Sequence, residues 1–122
     1  MEKIIQHREQ LQYTEAYISD MGVLKNIFQQ IQNCRKINQN FGLPFLLAKK
    51  DNEIIAFASL VMNEKKEISF KIYDKKGMPD TEKRSFISRI ENYFKKNNTP
   101  NFRDPEQLKM SISRMVSWLN LE

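Results

Sequence analysis

Few residues in this chain could do covalent or metal chemistry. It has one cysteine, Cys34, and one histidine, His7, among 122 residues. A lone cysteine excludes an internal disulfide and every multi-cysteine zinc site. A lone histidine excludes His-His metal or catalytic pairing within the chain. Cys34 with His7 is the one conceivable thiol–imidazole pair. Cys34, however, falls in the apolar stripe of a predicted helix, where a thiol is an inert packing group. No Gly-x-Ser-x-Gly elbow, Asp-x-Asp-x-Asp loop or Gly-x-x-x-x-Gly-Lys-Ser/Thr loop occurs. The carboxylates come in pairs explained by local structure: Asp51/Glu53 flank a turn, while Asp80/Glu82 and Asp104/Glu106 sit at helix starts.

One stretch has a physical case for holding an anion. A predicted strand ends at Tyr73; Lys75, Lys76 and Gly77 follow; a helix begins near Asp80 or Thr81. Free N–H groups at a helix start attract phosphate, and two lysines add to the field. Asp80 and Glu82 oppose it, and Pro79 removes a donor. The charge pattern is broader than this loop. The net charge is +5, and residues 65–103 alone hold eleven Lys/Arg against five acids. Such a segment draws phosphates of a nucleotide, nucleic acid or lipid, or serves as a solvated, solubilising face. Lysine dominates without Arg–aromatic interleaving, which argues against nucleic acid.

The elements that must position these residues follow from hydrophobic period. Hydrophobic residues are 40% and charged residues 29% of the chain, which suits a single folded domain and not a disordered one. No apolar run approaches the ~20 residues that cross a bilayer, and the N-terminal apolar stretch is too short for a signal peptide, so a soluble, cytoplasmic protein without a membrane partner is expected. Residues 2–18 read either as a helix (Ile4, His7, Leu11, Thr14, Ile18) or, around Tyr13, as a short strand. Ser19 or Asp20 caps a helix whose buried face is Leu24, Ile27, Phe28, Ile31 and Cys34, ended by Asn40-Phe-Gly-Leu-Pro44. Three strands follow at 45–50, 53–62 and 67–73, with a turn at Asp51-Asn52 and another at 63–66. Short links make them an antiparallel meander. The middle run is apolar throughout and needs cover on both faces. The third turns Ile68, Phe70 and Ile72 inward and Ser69, Lys71 and Tyr73 outward. Helices then run from Asp80 to Lys96, with Phe86, Ile87, Ile90 and Phe94 buried, and from the Asp104 cap with Pro105 at its first position, with Leu108, Ile112, Met115, Val116 and Leu119 on one face. Trp118 lies beside that face. The fold class is α+β: a three-stranded or slightly larger antiparallel meander covered by helices.

The stretch Leu47-Ala-Lys-Lys-Asp-Asn-Glu-Ile-Ile-Ala-Phe-Ala-Ser-Leu60 resembles the second and third strands of the GNAT acetyltransferase superfamily, where a turn precedes a Glu-Ile-Val-Gly-Phe-Ala pattern. The resemblance spans about residues 20–96. It implies an early helix near Asp20, a fourth strand at Ile68–Tyr73 and a pyrophosphate-facing helix at Asp80–Lys96. It also implies that Lys75, Lys76 and Gly77 would hold acetyl-CoA. The family's loop reads Gln/Arg-x-x-Gly-x-Gly/Ala. With Gly77 as its first glycine, Asp74 and Pro79 stand at the other two positions; with Gly77 as its second, Lys75 replaces the first. The family's next strand would fall on Asn97–Asp104, which is polar and broken by Pro100. These departures imply a reduced GNAT-like domain without a cofactor. Its expected partner is another protein or a further copy of the chain, met through an open sheet edge. An acetyl-CoA-dependent N-acetyltransferase is the alternative, and a basic nucleic-acid-binding module the third.

Overall fold

A computed structural model describes residues 11–75 and 77–121. Its frame is an antiparallel sheet of four strands in chain order: β1 (Leu11–Glu15), β2 (Leu43–Lys50), β3 (Glu53–Met62) and β4 (Ile68–Asp74). The sheet thus has one strand more than the predicted meander. The extra one is β1, which settles the open reading around Tyr13 as strand. His7 lies outside the described residues.

Both hairpin turns form where the sequence puts them. Asp51 and Asn52 take positive φ of 54° and 68°, the paired left-handed geometry that matches strand twist and that Asp and Asn tolerate. In the second turn the Asn63 side chain accepts the N–H groups of Lys65 and Glu67, each at 2.9 Å. Two irregularities re-aim side chains. Pairing shifts between Pro44 and Leu46, and again between Ala48 and Lys49. Pro44 has no N–H for the ladder, and the bulge beside it brings both Phe45 and Leu46 to one face. The second shift does the same for Ile55 and Ala56.

Helices cover both faces. Helix α1 (Met21–Gln32) buries Leu24, Ile27 and Phe28 with Leu47, Phe57 and Tyr73. On the other face α2 (Asp80–Lys96) packs Phe86 and Ile90 on Leu46, Ala48, Ala56, Ala58 and Leu60. The short α3 (Pro100–Arg103) adds Phe102. The last helix, α4 (Pro105–Leu119), enters this cluster through Leu108 and Ile112 but ends in the α1 cluster through Leu119, so it ties the layers together. Trp118 is half exposed beside this seam.

Four expectations change. First, α1 stops at Gln32, because Asn33 adopts the left-handed cap conformation at φ 52°. Cys34 therefore stands just past the helix, a partly buried free thiol against the α1 cluster, and Ile31 is left exposed. Second, Asp20 does not cap α1 with its side chain; its carboxylate turns back to accept the Tyr17 N–H at 2.8 Å. Third, neither Asp80 nor Thr81 is the cap of α2; Pro79 takes that position and Asp80 is the first helical residue. Fourth, Tyr73 is not outward but 6% exposed, since the strand face opposite Phe70 and Ile72 lies beneath α1.

The Asp104 cap is as expected. Its carboxylate accepts the N–H groups of Glu106 at 3.0 Å and Gln107 at 3.4 Å, with Pro105 at the first helical position. Asp104→Ala should cost about 1 kcal/mol. A urea titration with an unchanged midpoint would show that the cap contributes nothing.

Candidate functional site

The predicted anion loop sits at the end of the sheet where the β2–β3 turn meets the β4–α2 connection. Register brings them together: Ala56 faces Asp74, and the Lys75 N–H bonds the Ile55 carbonyl at 3.0 Å. A cavity of about 290 Å³ opens there, lined by Lys50, Asp51, Glu53, Ile55, Asp74, Lys75, Gly77, Met78, Pro79 and Glu82. Lys75 and Gly77 both face it, whereas Lys76 lies outside the described residues.

The chemistry of this cavity differs from that of a bare lysine loop. Lys75 Nζ is 2.7 Å from Glu53 Oε2, and Lys50 Nζ is 3.0 Å from Glu82 Oε2. The Gly77 N–H, at φ 77°, donates to Asp74 Oδ1 at 2.8 Å. Described lining residues include four carboxylates and two ammonium groups. An entering phosphate would compete with Glu53 for Lys75 and with Asp74 for the Gly77 amide, and the carboxylates among the described lining residues oppose it. Glu82 Oε1 is buried without a hydrogen-bond partner among the described residues. Lys50, Asp51 and Glu53, at the β2–β3 turn, are the charged lining residues that the β4–α2 segment does not itself announce; Asp74 and Glu82 belong to that segment. Strand register, through partners far apart in the chain, delivers these three, whereas Asp74 bonds the Gly77 amide within the loop and Glu82 lies in the first turn of the helix that follows.

The opposite face of β4 holds a second polar feature. The Tyr73 ring lies edge-on to Phe28 at 5.2 Å and tilted on Phe57 at 5.2 Å, and its hydroxyl donates to the Asn40 carbonyl. Burial pushes the phenol up from 10.0 to about 12. A folded-state pKa above the unfolded one means that stability is fully present below pH 10.0 and is lost as pH rises toward about 12. An absorbance titration should show one late tyrosine, near pH 12, accompanied by a falling melting temperature. Tyr73→Phe should remove that late step; a late step that persists assigns it to another phenol. Tyr93 is also raised, first by burial and then by its bond to the Glu15 carboxylate.

Among the described residues no three of His, Cys, Asp and Glu converge where a metal ion could sit. No helix among them is long and apolar enough to cross a membrane. Among them, too, no strand follows α2 beside β4: residues 100–103 are helical, and β4 is the last strand of the sheet. Set against known proteins, the chain matches no family model, no curated protein and no solved structure.

Proposed function

We propose that the chain is a reduced GNAT-like domain that acts by binding, receiving a strand from a protein partner or from a second copy at the open rim of β4. The supporting observation is the direction of that rim. The Lys75 N–H to Ile55 bond and the Asn63 N–H to Glu67 bond, at 3.0 and 2.9 Å, set the alternation along the β3–β4 pair. Odd-numbered residues of β4 bond β3, and the backbone groups of Phe70 and Ile72 point away from it. Unpaired rims of this kind recruit strands. The sheet order and the helix after β4 agree with the arrangement that the GNAT resemblance implies. The strand that would line a CoA cleft beside β4 has no counterpart among the described residues.

Lys71 bears on the choice of partner. An antiparallel second copy centred on Lys71 pairs Phe70 with Ile72 and sets two ammonium groups opposite one another, which is unfavourable. Self-association should therefore strengthen with added salt. Sedimentation velocity across concentration and salt, with amide exchange read in parallel, tests the reading. Phe70 and Ile72 amides should exchange freely in dilute protein and become protected when a strand is added. Protection of both amides already in the dilute monomer would mean that the rim is closed, and the reading would fall. Acetyl-CoA addition supplies the other arm. A ligand at a hundredfold its Kd stabilises by about 2.7 kcal/mol. A shift of that order, lost in Lys75→Ala, would favour the acyltransferase alternative.

A further inference from the structure

The opposite rim of the sheet is furnished differently. The Ala16 N–H bonds the Phe45 carbonyl at 3.1 Å, which fixes the alternation along β1. Gln12 and Thr14 pair with β2, and the backbone groups of Leu11, Tyr13 and Glu15 point away from it. Helix α2 runs in the same direction beside this rim. The Tyr13 hydroxyl shares a 2.8 Å hydrogen bond with Ser85, and Tyr93, two turns further along the helix, donates to Glu15 at 3.0 Å. Between them lies an open groove of about 420 Å³.

The groove is basic. Arg89, Asn92 and Lys96 line it from one face of α2, at the three- and four-residue spacings of a helical stripe. The Arg89 guanidinium lies over the Tyr13 ring, 4.8 Å from its centroid. Among the described residues, neither Arg89 nor Lys96 has a carboxylate within ion-pair distance. The acid lining the groove, Glu15, already accepts the Tyr93 hydroxyl.

We propose that this groove binds an extended acidic peptide, which adds to β1 as a further strand and sets its carboxylates on Arg89 and Lys96. The backbone rim of Leu11, Tyr13 and Glu15 matches the donor–acceptor alternation of a peptide, a pattern that a phosphodiester chain lacks. Same-face residues of a strand lie about 6.7 Å apart. Arg89 and Lys96 are separated by about 10.5 Å of helix rise. Acids two or four residues apart therefore reach both cations through their side chains. The chain's own β4 is a poor occupant, since it carries Lys71 at its centre. This site is independent of the β4 rim, so either can fail alone.

Fluorescence anisotropy on the full chain tests the proposal, using a labelled peptide of alternating Glu and Thr. The controls are a Lys/Thr peptide and labelled oligothymidylate. The Glu/Thr peptide should bind, more weakly as salt rises, with exchange protection gained at Leu11, Tyr13 and Glu15 but not at Gln12 and Thr14. Arg89→Ala should weaken it about tenfold or more, and Arg89→Lys should restore part of the loss. Should Arg89→Ala unfold for want of its Tyr13 contact, Lys96→Glu on the exposed end of the helix is the second variant, with a similar loss expected. Absence of binding, equal binding of the Lys/Thr peptide, or an affinity unmoved by the folded variants overturns the proposal. Tighter binding of oligothymidylate overturns it in favour of nucleic acid.

Discussion

Gly42→Ala is expected to destabilise the protein by about 3 kcal/mol or more, lowering the melting temperature by roughly 10–15 °C. Gly42 sits at φ 70°, ψ −155°, a region essentially closed to side-chain-bearing residues. A Cβ there would stand 2.3 Å from the Leu60 carbonyl oxygen, 2.8 Å from Val61 Cγ1 and 3.0 Å from Ser59 Cβ. The nearest obstacle is backbone of β3, so relief requires moving a strand that is paired on both sides. Gly77→Ala is the matched control. Its φ is 77° but nothing lies within 4 Å of the added atom, so conformational strain alone should cost about 1 kcal/mol. Equal losses in the two variants, read by urea denaturation, would mean that the close approach at Gly42 contributes nothing.

Phe57→Ala should cost about 3–5 kcal/mol, and Phe57→Leu about 1. Phe57 is fully buried at the centre of β3, between Phe41 at 5.8 Å and Tyr73 at 5.2 Å between ring centroids. Its neighbours Ala56 and Ala58 face the other layer, where α2 packs close. The strand is thus bulky on one side and small on the other, and little nearby can slide in to fill a vacated ring. A denaturation midpoint displaced by less than about 1 kcal/mol, at unchanged m, would show that the α1 layer repacks freely.

The strands and long helices were legible because each carries a period of its own. The apolar run from Ile54 to Met62 announced a strand covered on both faces, and Phe57 and Ala58 indeed enter opposite clusters. The Asp51-Asn52 turn and the Asp104 cap were readable because side chains of those types act within two or three residues. The misreadings occur where a distant partner decides. Tyr73 looked outward because it alternates onto the same strand face as Ser69 and Lys71; α1 covers that face at Tyr73, and the Asn40 carbonyl, thirty-three residues away, satisfies its hydroxyl there. Cys34 fitted a helical stripe, yet Asn33 turned the chain so that Ile37 could be held by Asn120 through bonds of 3.1 and 2.9 Å. In the cavity, the loop supplied Lys75 and Gly77 by adjacency alone. Glu53 arrives there through strand register, so the charge that balances Lys75 could not be read from its own segment.

Helix α4 has a consequence for vectorial synthesis. Leu119 and Asn120 close the layer that begins at Met21. The Lys25 ammonium also donates to the Leu119 carbonyl, spanning nearly a hundred residues. On the ribosome, the hairpin of β2 and β3 can zip early from its two-residue turn. The layer under α1 must wait, partly open, until residues 119 and 120 clear the exit tunnel. The nascent chain is therefore expected to rely on holding chaperones until that segment emerges, at a point when most of its sheet has already formed.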